Sequence, residues 1–142
     1  PDYDIQQALA SNLLQMGMTW IGVITWDDMR SADFVASLPE VDPSKIGIAA
    51  LNENTVVALY AALMDGNCDQ LVLKNPSASQ DVSSQTNGKG AATEMLNCLR
   101  VTDVYQLPAL VYPAKIRLMG EIPEAYQFSE KIITHLGGKI TL

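Results

Sequence analysis

The sequence predicts an α/β domain whose parallel sheet has about four strands flanked by helices. Three observations carry this. Short apolar runs (KIGIAAL, QLVLK, KIRLM and KITL) alternate with longer stretches whose apolar residues recur at helical spacing. Strands alternating with helices imply parallel pairing through right-handed crossovers. The chain has 142 residues, 48% of them hydrophobic, which is room for one domain (1–142) with a core of its own. No internal repeat is visible.

The elements follow in order. Ile5, Leu9, Leu13 and Met16 predict a helix over 5–16, with Asp4 as its cap and Gly17 closing it. Trp26, Met29, Asp33 and Phe34 predict a second helix over 26–38, capped by Thr25 and ended by Pro39 and the Asp42–Pro43 pair. Lys45–Leu51 reads as a strand buried on both faces. Asn54–Met64 reads as a helix, with Val57, Ala58, Ala61 and Ala62 for close packing, and Asp65–Asn67 as a turn. Gln70–Lys74 is the next strand. The stretch 75–90 is polar, rich in Ser, Asn, Gln and Gly, and reads as a loop. Short helices follow at Thr93–Leu99 and Val104–Leu110. Lys115–Met119 is a third strand. Glu124–Leu136 is an amphipathic helix using Ala125, Phe128, Ile132, Ile133 and Leu136, and Lys139–Leu142 opens a fourth strand.

Composition excludes several classes of function. Sixteen acids against nine bases give a net charge of −7. That balance argues against nucleic acid, which needs clustered Lys and Arg, and against an anionic membrane surface. No apolar run approaches the ~20 residues of a spanning helix. The start carries no basic leader segment, and Pro1 in place of Met suggests processing or a fragment boundary. The expectation is a soluble protein whose compartment stays open: cytoplasmic, or secreted or periplasmic after processing. Cys68 and Cys98 are read as free thiols; with no CxxC and no Cys/His cluster, neither a metal site nor a cofactor is expected.

In an open parallel sheet, working residues sit just beyond the carboxyl ends of the strands. Three places qualify: 50–54, 75–90, and 120–124. The first is a strand, a tight turn and a helix, the setting of a nucleophile elbow, G-x-S-x-G. Here Asn52 stands at the serine position, and Ala50 and Asn54 stand at the glycine positions. An amide has no ionisable O–H to be activated for attack, although Asn tolerates the left-handed backbone such a turn needs. Asn52, Glu53 and Asn54 are therefore binding candidates, and Glu121 and Glu124 are carboxylates beside the third place.

Other candidates read as structural. Asp27 and Asp28 are adjacent on a helix and point about 100° apart, so they form no facing acid pair. Asp27 suits helix-start charge or a pair with Arg30, and Arg30 and Asp33 suit an ion pair three residues apart. Trp20 and Trp26 read as core. Ser77, Ser79, Ser83 and Ser84 lack an assignable His base. Thr86–Gly90, TNGKG, lacks the full phosphate-loop pattern.

Three pieces carry a resemblance: WDDMRSADFVASLP at 26–39, EVDPSKIGIA at 40–49, and YQLPALVYPAKIRLMGEIPEAY at 105–126. They resemble the carboxyl-terminal half of α/β-hydrolases of the dienelactone-hydrolase and acetyl-xylan-esterase group. The resemblance covers nearly the whole chain, including Asn12–Leu51 before the elbow. It implies a nucleophile position at Asn52, an oxyanion amide at Glu53, and an acid position near Pro123 with Glu121 and Glu124 as neighbours. The family's His would follow the next strand. The only His here, His135, sits in the preceding helix and suits a helix carboxyl end. The family's first strands are missing from the sequence, so IGIAAL would be an open apolar edge. A partner chain, the rest of a longer polypeptide or a second copy is expected to complete the sheet. The preferred expectation is a catalytically degenerate domain with a structural or accessory role beside a carbohydrate-esterase-type partner. The alternatives are a segment of an active carboxylesterase whose nucleophile and His lie elsewhere, and a small ligand- or protein-binding α/β module.

Overall fold

A computed structural model describes residues 3–81, 95 and 97–142. Its four strands, β1 (Gly47–Leu51), β2 (Gln70–Lys74), β3 (Lys115–Met119) and β4 (Ile140–Thr141), form one sheet in the order β1-β2-β3-β4, every pair parallel. Helices α1 (Tyr3–Gln15) and α2 (Trp20–Ala36) precede β1, and α3 (Asn54–Asp65) crosses from β1 to β2. Between β2 and β3 the described residues form 3₁₀ turns at Cys98–Arg100 and Val104–Gln106, then α4 (Leu107–Leu110). A 3₁₀ turn at Glu124–Tyr126 leads into α5 (Gln127–His135) before β4. The expected parallel α/β architecture is present. The Ser83, Ser84 and Thr86–Gly90 readings, and most of the expected 93–99 helix, lie outside the described residues.

The sheet buries one face. Leu71, Leu73, Ile116, Leu118 and Ile140 point into the core, with Ile48 and Ala50 partly covered. Residues between them in each strand are exposed or half-buried, as alternation requires. Helix α3 lies over the buried face and is nearly engulfed: Thr55 to Leu59, Ala61 and Ala62 are all buried. Its small residues let α2 approach closely, and Leu59, fully buried, joins Ile21, Val104 and Leu107 in the core. Gly66, at φ 72°, ends α3 in the left-handed conformation that favours glycine.

Several expectations are corrected here. β1 is not buried on both faces: among the described residues it is an edge strand of the sheet, and Gly47, Ala49 and Leu51 are exposed. Helix α1 already includes Asp4, so that residue is not its cap. Its stripe is not a core face either; Ile5, Leu9 and Met16 are exposed, and among the described side chains of the helix Ala10 is the buried one. Helix α2 begins at Trp20 rather than Trp26, because Thr19 caps it: the Thr19 hydroxyl accepts from the Gly22 N–H at 3.0 Å. Thr25 is then an interior residue, buried with Ile21 one turn before it, and that face meets the core instead of Trp26 and Phe34. Trp26 is 57% exposed and stacks under the Arg30 guanidinium at 4.5 Å, while Trp20 is half-buried. Arg30 pairs with Asp33 at 2.7 Å. In α5 and the turn before it, the inner face is Tyr126, Ser129 and Ile133; Ala125 and Leu136 are exposed. Phe128 meets Tyr105 edge to face.

Candidate functional site

Leu51, Lys74 and Met119 stand side by side in the register of the three long strands. The residue after each has a positive φ: Asn52 at 54°, Asn75 at 48° and Gly120 at 76°. Three adjacent strands therefore end in the same left-handed step, and backbone bonds stitch the steps together. Asn52 N–H donates to the Lys74 carbonyl at 2.9 Å, and Asn75 N–H donates to the Met119 carbonyl at 2.9 Å. Side chains extend the ladder. Asn75 Nδ2 donates to Asn52 Oδ1 at 3.4 Å, and Asn75 Oδ1 accepts from the Glu121 N–H at 3.0 Å. Glycine is required at 120 for its φ and also for space, since a Cβ there would collide with Asn75 Oδ1.

Helix α3 departs directly from this ladder. The buried Thr55 hydroxyl donates to the Asn52 carbonyl at 2.6 Å and accepts from the Ser77 N–H at 3.4 Å. One hydroxyl thus ties the strand–turn–helix at Asn52 to the segment leaving β2. Asn52 and Asn54 are exposed and Glu53 is half-buried. Glu121 and Glu124, both exposed, stand beyond Gly120, with Pro123 between them. The structure therefore brings together 50–54, 120–124 and the described start of the 75–90 stretch, whose residues 82–90 lie outside the described residues.

Behind the ladder lies a polar seam. Asp103 accepts from the Ser79 hydroxyl at 2.5 Å and from the Gln80 and Val104 N–H groups at 2.7 Å each. Gln106 returns the contact by accepting from the Asp103 N–H at 2.8 Å, a capping box. Tyr60 donates to Gln80 Oε1 at 2.6 Å, and Tyr126 donates to the Ser77 carbonyl at 3.1 Å. Burial, helped by the nearby charges of Cys98 and Asp103, pushes Tyr60 up to about 12. Burial raises Tyr126 further, with Asp103 adding to it. Both phenols are therefore neutral anchors and not acid–base groups near neutrality.

Sequence reasoning placed Asn75 only as the start of the 75–90 stretch, without its linking role, and missed Asp103. Each has a signal in the chain: Asn75 is an Asn-Pro pair closing a strand, and Asp103–Gln106 has capping-box spacing. His135 lies at the carboxyl end of α5, which leads into the start of β4. In a parallel sheet that is the end opposite Asn52. Cys68 and Cys98 are free, and burial raises both thiols. Asp28 is raised by burial and then by the charge of Asp27. Among the described residues no group of three His, Cys, Asp or Glu side chains is placed to hold a metal. None of the described helices is long and apolar enough to cross a membrane.

What the strand-end arrangement offers chemically is a row of amides and backbone polar groups with a carboxylate at either side. It can hydrogen-bond and orient a polar group. Asn52 supplies no nucleophile. Comparison with protein-family models, with curated proteins and with solved structures found no match.

Proposed function

We propose that this chain is a non-hydrolytic α/β scaffold, similar to the carboxyl-terminal half of the dienelactone-hydrolase and acetyl-xylan-esterase group, that acts beside a carbohydrate-esterase-type partner. The observation that carries the reading is Asn52. It has the strand–turn–helix setting and the positive φ of 54° that a nucleophile elbow demands, yet its side chain is an amide. The chain's single His belongs to the other end of the sheet, out of reach of any base role at that turn. The Glu53 carboxylate, next to the amide that would serve an oxyanion, adds charge of the wrong sign.

The partner half of the proposal rests on the sheet. Parallel sheets are normally covered on both faces, and this one presents Leu51, Met119 and Val72 among Lys74, Lys115 and Arg117 on a face that the described residues leave open or half-covered. β1 adds an outer edge without a charge or a proline in Gly47–Leu51. An accessory role needs such surfaces; a self-contained hydrolase does not.

The test is hydrolysis of 4-nitrophenyl acetate by the purified chain and by Asn52→Ala. The expected rate is that of the buffer for both proteins. Hydrolysis well above the blank that disappears in Asn52→Ala would overturn the non-hydrolytic reading.

A further inference from the structure

A cavity of about 380 Å³ opens between α1, the start of α2 and the turn at Cys98–Arg100. It shares no residue with the strand-end ladder. Its size falls at the small end of the ~300–1,000 Å³ usual for small-molecule sites. Most of its wall is apolar, built by Ala10 and Leu14 of α1, Trp20 of α2, and Met95 and Leu99. One nine-tenths-buried amide, Gln80, is fixed in that wall by the Tyr60 hydroxyl at 2.6 Å.

Charge identifies the occupant. Arg100 is the one cation among the described lining residues, and no described Asp or Glu lines the cavity. Arg100 is exposed, so it stands at the mouth rather than the floor, and among the described residues it has no acidic partner. Beside an apolar wall, a guanidinium with no acidic partner among the described residues attracts an anion. A neutral apolar molecule would leave it unused, and a cationic one would be repelled.

We propose that this cavity binds a small amphipathic carboxylate, its apolar chain against Leu14, Trp20, Met95 and Leu99 and its head group on Arg100. The guanidinium fork matches a carboxylate in two parallel hydrogen bonds, and the apolar wall takes the chain out of water. This site is independent of the strand-end ladder and of any partner on the sheet.

The test titrates decanoate, below its micelle concentration, into the full chain by calorimetry while following tryptophan emission, since Trp20 is in the wall. Saturable one-to-one binding with a change in emission is expected. Arg100→Ala should weaken it about tenfold or more, the loss of one charge-assisted contact. Decan-1-ol should bind more weakly than decanoate. Because Arg100 is exposed, its substitution leaves the fold intact, which circular dichroism verifies. Absence of saturable binding by both readouts, or equal affinity in Arg100→Ala, overturns the proposal.

Discussion

Asn52, Asn75 and Gly120 adopt one backbone shape with different tolerance for change. Asn is among the few side chains that accept the left-handed region, so Asn52→Gly should keep stability within a few tenths of a kcal/mol. Asn52→Ala should cost about 1 kcal/mol, the strain of that region for a residue with a Cβ. Gly120→Ala should cost more, about 2 kcal/mol or above, because it adds a collision with Asn75 Oδ1 to the strain. Urea titration of the three variants orders them; Gly120→Ala as mild as Asn52→Gly would refute the packing of the ladder. The two anchoring phenols give a second residue-scale prediction. Of five tyrosines, Tyr60 and Tyr126 are held neutral by burial, Tyr60 up to about 12. In the unfolded chain both ionise near the ordinary value of about 10. Their raised folded values therefore give stability that is fully present below pH 10 and is lost as pH rises toward 12. Ultraviolet titration of the native protein should show two tyrosines that ionise well above the ordinary value, and Tyr60→Phe should remove one of them.

At the scale of elements, helix α2 shows what the sequence could and could not disclose. The strands were legible because KIGIAAL, QLVLK, KIRLM and KITL are short, apolar and bounded by turn residues, and β1 to β4 fall inside those runs. The start of α2 was not, because WIGVIT is rich in β-branched and aromatic residues and contains a glycine, the local preferences of a strand. Burial of Ile21 and Thr25 against α3 overrides that preference. The strand-end places were legible from topology alone. The link among them was not, because it runs through Asn75, and no sequence pattern says that one amide will reach both Asn52 and Glu121. Two threonines of α2 make the corrected boundary testable. Thr19→Ala removes the cap hydroxyl and should cost about 1 kcal/mol. Thr25 is buried, and its hydroxyl has no hydrogen-bond partner among the described residues, so Thr25→Val should be neutral or stabilising. Thermal unfolding of both variants separates the assignments: were Thr25 the cap, the two effects would exchange.

At the scale of the whole molecule, the layers are unequal. One face of the sheet carries α3 and α5, with α2 and α4 packed against α3, whereas the other carries side chains without a covering layer among the described residues. That open face is not a neutral sample of the surface. Lys74, Lys115 and Arg117 project from it, three of the nine basic residues of an acidic chain, and among the described residues only Lys115 has an acidic partner there, Asp69 at 3.1 Å. Around them lie Leu51 at 54% exposure, Met119 at 39% and the half-buried Val72. A face that interleaves apolar side chains with cations fits a surface that mixes apolar groups with acids, and it gives such an association a salt dependence. Light scattering combined with intact-mass spectrometry should therefore find either a mass above the 15.4 kDa of one chain or a second chain carried through purification. Raising salt from 0.05 to about 0.5 M should weaken that association, because the Debye length falls from roughly 14 Å to about 4 Å. Leu51→Lys, which places a charge on both the open face and the β1 edge, should weaken it further without unfolding the domain, since Leu51 contributes little to the core. A monodisperse single chain at all concentrations, with no affinity for an apolar dye, would mean that this face is stable in water as it stands, and the accessory role would lose its physical basis.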